Sequence, residues 1–180
     1  MSLMPIPRTL HVEVDTRENL PALFPDQFIW YPETNPNLKR TIPVYTHRVT
    51  LVTGDYRLQG RESAVVERKG RVSELHNNLF GPNRPTFLRA LDRLALIPCA
   101  WLLCDFSPRD FLRPTSYCER PRHVLDELLR ACESRRIRLM LAGPYKTLAG
   151  RRALGDLILR LLLNASWIAS PSLRATEPGK

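Results

Sequence analysis

The stretch CAWLLCDF, residues 99–106, holds no polar position until Asp105. Six successive residues without a charge or an amide cannot alternate between core and water, so they read as a strand covered on both faces of a sheet. Such a strand needs helices above and below it. In RPTFLRALDRLALI, Phe87, Leu88, Leu91, Leu94 and Ala95 share one helical face, with Arg84, Arg89 and Arg93 largely off it. VSELHNNLF, just before, has helical spacing and stops ahead of Gly81-Pro82. After residue 106 a proline-rich loop leads to a helix around His123 to Ser134, a strand IRLMLA, and a long helix within Leu148 to Ser166. Strand and helix alternating in this order imply an α/β fold, a mixed sheet flanked by helices in three layers.

The first half of the chain reads as strands and turns. Val12 and Val14 alternate with His11, Glu13 and Asp15, a short strand that ends on an acidic residue and runs into the turn DTRE. Phe28 to Tyr31 is a second strand, and Pro32 to Pro43 is expected as an exposed loop carrying Lys39 and Arg40. HRVTLVTGDYRLQGRESAVVERK then gives two alternating segments around Gln59-Gly60-Arg61-Glu62, the pattern of a hairpin. Residues 1–170 are expected to form one domain and residues 171–180 a frayed tail.

Charge narrows the class of partner. With 27 Lys and Arg against 18 Asp and Glu, the formal charge is +9, a field that suits a polyanion such as nucleic acid or an anionic membrane surface. No apolar run reaches the roughly 18 to 20 residues of a membrane span, because Asp156 and Arg160 interrupt LGDLILRLLLNASWIA. MSLMPIP lacks the basic and apolar regions of a secretory leader, so the expected location is intracellular: cytoplasm, nucleoid or nucleus, or a host cytoplasm for a phage protein. Cys99, Cys104, Cys118 and Cys132 show no metal-ligand spacing and read as reduced, buried thiols.

The hairpin carries the chemistry. In an antiparallel pair the numbers of facing residues sum to a constant, and a turn centred near Gly60 to Arg61 puts Asp55 opposite or one step from Glu67. Glu67 and Lys69, two apart, share a face, and Arg68 points to the other. Two adjacent carboxylates repel unless a cation lies between them, and hard oxygen ligands of this kind suit Mg2+ or Mn2+. Spacing alone leaves open a second reading, a charged surface turn, just as Asp15 alone could simply cap its own turn.

An acidic residue, a spacer and Glu-x-Lys form the signature of restriction-endonuclease-like nucleases. Taken with VEVDTRE, GDYRL, VVERK, the helix carrying Leu75 and Leu79, Arg84 ahead of an amphipathic helix, and CAWLLCDF, the chain from roughly residue 10 to 142 resembles the nuclease domain of the XPF-type structure-specific endonucleases. The resemblance implies that Asp15, Asp55 and Glu67 hold Mg2+ or Mn2+. It implies that Lys69 is the base-like or charge-stabilising catalytic residue, with Arg68 in support. Arg17 and Arg84 would meet DNA phosphate, with Lys39 and Arg40 as further DNA-binding candidates. The implied reaction is metal-dependent hydrolysis of DNA at flaps, forks or other branches, in repair or recombination, leaving 5′-phosphate and 3′-hydroxyl ends. Homodimers or heterodimers through the nuclease domain are implied too, with the long apolar helix within residues 148–166 as the candidate surface.

The pattern departs from the family at one point near the triplet. Four residues after Lys69, where the family places an aspartate, stands Ser73, followed by Glu74. YKTLAGRRALGDLILRLL is a faint echo of the family's helix-hairpin-helix module and reads as a packing helix. Two alternatives remain: a DNA-binding scaffold of the same fold without turnover, and a sequence-specific restriction or resolvase nuclease. His47, His76 and His123 receive no role, and Trp101 and Trp167 are expected in the core or at a subunit interface.

Overall fold

A computed structural model describes residues 7–31 and 39–168, with side chains as far as residue 165. The expected tail at 171–180, most of the expected loop after Tyr31, and the side chain of Trp167 lie outside the described residues. Among the described residues no helix is long and apolar enough to cross a membrane.

The apolar run forms β6 (Cys99–Cys104), and its two faces are covered as the sequence requires. Cys99 and Leu103 belong to one core, and Ala100, Leu102 and Cys104 to the other. β6 lies near one edge of a seven-stranded sheet ordered β2-β3-β1-β4-β5-β6-β7. The other strands are β1 (Leu10–Asp15), β2 (Gln27–Trp30), β3 (Arg40–Val49), β4 (Tyr56–Leu58), β5 (Arg61–Lys69) and β7 (Arg138–Leu141). β1 pairs in parallel with β3, β5 with β6, and β6 with β7. β2 and β4 run against their neighbours. The carboxyl ends of β1, β3, β5, β6 and β7 therefore point the same way, the end at which open α/β sheets bind ligands.

Helices α1 (Val72–Phe80), α2 (Arg84–Ala95) and α3 (Pro121–Glu133) pack on one face through Leu75, Leu79, Phe87, Leu91, Val124 and Leu128. The single helix α4 (Leu148–Ile168) covers the other, burying Leu154, Ile158, Leu159, Leu162 and Leu163 against β1, β4 and β5. These five side chains are at most 1% exposed. Leu157 and Leu161 of the same helix, which the sequence offered as a surface for a second subunit, are partly buried beside that core. All four cysteines are free and buried.

The front half differs from its sequence reading in three places. Arg40 and Pro43 are strand residues, not loop, because Ile42 and Val44 alternate inward with exposed neighbours and that period overrides the proline. Pro43 faces Gln27 at the very start of β2, where a missing N–H costs least, and Val44 N–H donates to the Asp26 carbonyl at 2.9 Å. His47 to Val49 belong to β3 rather than to the hairpin, whose first strand is only Tyr56–Leu58. Finally, β1 is buried on both faces, so Glu13 and Asp15 point into protein rather than water.

Candidate active site

The hairpin register is the expected one at the end that matters. Tyr56 faces Val66 and Arg57 faces Val65, a constant sum that extends to Asp55 and Glu67, while a bulge after Arg57 absorbs the turn at Gly60. Asp55 N–H donates to the Val66 carbonyl at 2.9 Å and the Asp55 carbonyl accepts Asp15 N–H at 2.9 Å, so the residue is braced from both sides. Gly54 makes this possible. Its φ of +77° is the left-handed region, and a Cβ there would lie 2.0 Å from Val65 Cγ1.

Asp55 and Glu67 repel each other in a poorly hydrated place. Burial, and then the charge of Glu67, push the Asp55 carboxyl up to about 7. Its Oδ2 accepts the Arg68 N–H at 2.7 Å, and no donor among the described residues is bonded to Oδ1. Lys69 lies on the same face, its Nζ 2.9 Å from Glu67 Oε1 and 5.7 Å from the centroid of the Phe87 ring. Burial alone would lower the Lys69 ammonium, but Glu67 and Glu74 outweigh it and hold the group above the ordinary lysine range. Lys69 is therefore a cation held between Glu67 and Glu74.

Glu74 is the residue the sequence left undecided. Its Oε1 lies 3.3 Å from Lys69 Nζ and its Oε2 accepts the Gly70 N–H at 3.1 Å. The carboxylate one residue beyond Ser73 on α1 thus reaches Lys69 and the Gly70 N–H. The longer side chain bridges what the helical rotation would separate.

Arg68 turns to the opposite face, as the strand period dictates, and is only 7% exposed at its side chain. Nε donates to Asp105 Oδ2 at 3.1 Å, the terminal nitrogens pair with Asp105 and Glu18, and Nη1 donates to the Leu20 carbonyl at 2.7 Å. Asp105 N–H in turn donates to the Lys69 carbonyl at 2.8 Å. Arg68 is thus a tie between β5, β6 and the segment after β1, while its backbone N–H holds Asp55. Asp105, which the sequence marked only as the end of an apolar run, is the missed member of the site.

Asp15 does not stand as a third open carboxylate. Arg17 donates to it through its backbone N–H, Nε and Nη2 at 2.7, 2.7 and 2.8 Å, and Leu51 N–H adds a fourth bond at 2.7 Å. The guanidinium holds the carboxyl down to about 2 although the residue is fully buried. Asp15 is a buttress for Arg17, whose charge Asp55 and Glu67 also stabilise. Consistent with this, no group of three or more His, Cys, Asp or Glu side chains forms a metal cage among the described residues. The site offers two carboxylates, enough for a cation that keeps water and phosphate as its other ligands.

Asp55, Arg68, Lys69, Glu74 and Asp105 line a cleft of about 550 Å³ together with Arg17, Arg71 and Lys146, and Glu67 adjoins it through its 2.9 Å contact with Lys69 Nζ. Two solved structures are similar to the chain in fold. XPF from Aeropyrum pernix superposes with a TM-score of 0.56 over 94% of this chain at 20% identity, and XPF from Aeropyrum pernix in complex with DNA with 0.55 over 92% at 19%. The fold is that of the XPF nuclease domain. The chain spans 66% of the first of those structures and 69% of the second. No protein-family model matches the sequence, and none of the curated proteins does.

On the XPF fold the remaining sequence candidates sort by position. Arg84 is exposed at the first turn of α2, the helix whose Phe87 lies beneath Lys69. Lys39 and Arg40 are exposed but sit at the amino end of β3, while Asp15 faces Val49 at the carboxyl end. Nine strand steps separate Arg40 from Val49, roughly 30 Å, so the structure does not bring these two cations to the cleft.

Proposed function

We propose that this chain is a metal-dependent endonuclease that hydrolyses DNA phosphodiester bonds at flaps, forks or other branched DNA, in repair or recombination. The observation that carries the reading is the Asp55–Glu67 pair at one end of a hairpin with the Lys69 ammonium 2.9 Å from Glu67, Asp55 and Lys69 both lining a cleft bordered by further cations. The donor chemistry fits a hard divalent cation. Two oxygen ligands, one of them pushed up to about 7 by burial and then by the other's charge, suit Mg2+ or Mn2+ rather than a thiol- or imidazole-seeking metal. When bound, that ion supplies a Lewis acid for a phosphate oxygen and a more acidic water.

The chain's own residues do the rest. Asp55 and Glu67 hold the ion, and Asp15, its four hydrogen bonds spent on Arg17 and Leu51, positions Arg17 toward the phosphate. Lys69, kept charged by Glu67 and Glu74, neutralises negative charge that grows on the phosphoryl oxygens. The oxygen of water bonds to phosphorus, the P–O3′ bond breaks in line with it, and the ends are a 5′-phosphate and a 3′-hydroxyl. DNA as the partner is supported by the net charge of +9 and by the DNA-bound XPF that shares the fold.

One observation favours a second reading, a DNA-binding scaffold without turnover: the bidentate Arg17–Asp15 pair fills a position where a third metal ligand was expected. Labelled forks, flaps, blunt duplex and single strands, incubated with Mg2+ or Mn2+, separate the two. The nuclease reading requires products from wild type and at least a hundredfold less from Asp55→Asn. Equal background nicking by both proteins leaves the scaffold.

A further inference from the structure

The catalytic cleft continues into surface that the hydrolysis does not use. It adjoins a cleft of about 490 Å³, and the two share Gly70, Arg71, Asp105 and Lys146 as a common wall. That second cleft shares Tyr117 with a pocket of about 500 Å³ lined by His76, Phe80, Arg120 and His123. Arg71, Lys146 and Arg120 are exposed cations along this line. The acids beside them are already engaged: Asp105 by Arg68, and Asp110 by the N–H and hydroxyl of Ser107. Glu119, in the wall of the third pocket, is the exception.

The far pocket is aromatic. Phe80 is 41% exposed, and its ring lies near the imidazoles of His76 and His123, tilted 38° and 32° to them with centroids 5.6 and 4.7 Å away. Tyr117, 79% exposed, projects from a tight turn closed by the reciprocal Thr115 and Cys118 backbone bonds of 2.9 and 3.1 Å. Single exposed aromatics are ordinary on a protein surface. Two that line one pocket, Phe80 beside two imidazoles and Tyr117 on a turn with a hydrogen-bonded backbone, and that are reached from the catalytic cleft along exposed cations, can form a stacking platform at the end of a phosphate track.

We propose that Phe80 and Tyr117 form a stacking site for an unpaired nucleobase of a DNA strand that leaves the catalytic cleft past Arg71 and Lys146. The inference rests on the nuclease reading of that cleft and deepens it. Within a duplex both faces of a base are covered by its neighbours, so only a splayed, single-stranded arm can use an aromatic platform. The site thereby gives the nuclease domain a selectivity for junctions that have such an arm.

Binding of forks to the full chain in EDTA, followed by anisotropy and by quenching of a 2-aminopurine in the arm, tests the site apart from cleavage. Tyr117→Ala should raise the Kd for an eight-nucleotide arm roughly tenfold and remove the quench, leave blunt duplex unchanged, and be rescued by Tyr117→Phe. Equal effects on fork and duplex, or none on either, overturn the inference. Cleavage by wild type without arm dependence removes the stacking site and leaves the nuclease. Arm-dependent binding with no cleavage in Mg2+ or Mn2+ keeps the site and removes the nuclease.

Discussion

At the scale of residues the site is a set of charges whose balance can be titrated. Asp55 has a folded-state pKa raised from 3.8 to about 7, so between those values the folded chain holds a proton that the unfolded chain has released. Stability in EDTA therefore falls as pH rises from about 4 to 7, by at most about 4 kcal/mol at the upper end. Asp55→Asn removes the charge, and its thermal melts between pH 5 and 8 should lose that slope while wild type melts several degrees lower at pH 8 than at pH 5. Identical slopes in the two proteins would mean that the carboxylate pair is not strained. The neighbouring cation divides differently. Lys69→Met should lower cleavage at least a hundredfold, because it removes the charge that meets the phosphoryl oxygens. Glu74→Ala, whose side chain is 42% exposed and meets Lys69 and the Gly70 N–H, should cost less than tenfold. A larger loss in Glu74→Ala than in Lys69→Met would reverse their assigned roles.

Between elements, the Arg68–Asp105 pair ties β5 to β6 and, through Glu18 and Leu20, to the segment after β1. Both side chains are nearly inaccessible, at 7% and 2%. Removing Asp105 leaves the buried guanidinium with Glu18 and the Leu20 carbonyl as its remaining partners, so Asp105→Leu alone should cost about 3 kcal/mol in urea unfolding, the low end for a broken buried pair. The double change Arg68→Met with Asp105→Leu should recover most of it, since apolar pairs of similar volume replace buried ion pairs at little cost. A double variant as unstable as the single one would show that the pair contributes more than its own compensation. This tie explains the limits of the sequence reading. Asp55, Glu67 and Lys69 were legible because one local turn fixes the hairpin register. Asp105 was not, because its approach to Arg68 depends on the parallel pairing of Lys69 with Cys104, which no local pattern encodes. Arg40 was misplaced because prolines mark a loop more loudly than the alternation of Ile42 and Val44 marks a strand. The histidines escaped notice because nothing in their spacing announces that His76 and His123 flank Phe80.

For the whole molecule, the topology gathers the carboxyl ends of five strands at one edge and the cations Arg17, Arg71 and Lys146 around them, while Arg40 stays roughly 30 Å away along β3. An even coat of positive charge and a directed track give different salt dependences. Each phosphate contact releases condensed counterions, so the slope of log K against log salt falls by roughly 0.9 for each contact on duplex and 0.7 on single strands. If DNA lies across the carboxyl ends, Lys146→Ala should reduce the slope for a forked substrate by about that amount. Lys39→Ala with Arg40→Ala should leave the slope for a short fork unchanged, although the pair removes twice the charge. Anisotropy titrations at four salt concentrations in EDTA measure both. A slope that follows the number of positive charges removed, wherever they lie, would show that the protein binds through its overall field, and the cleft would lose its claim to orient the DNA.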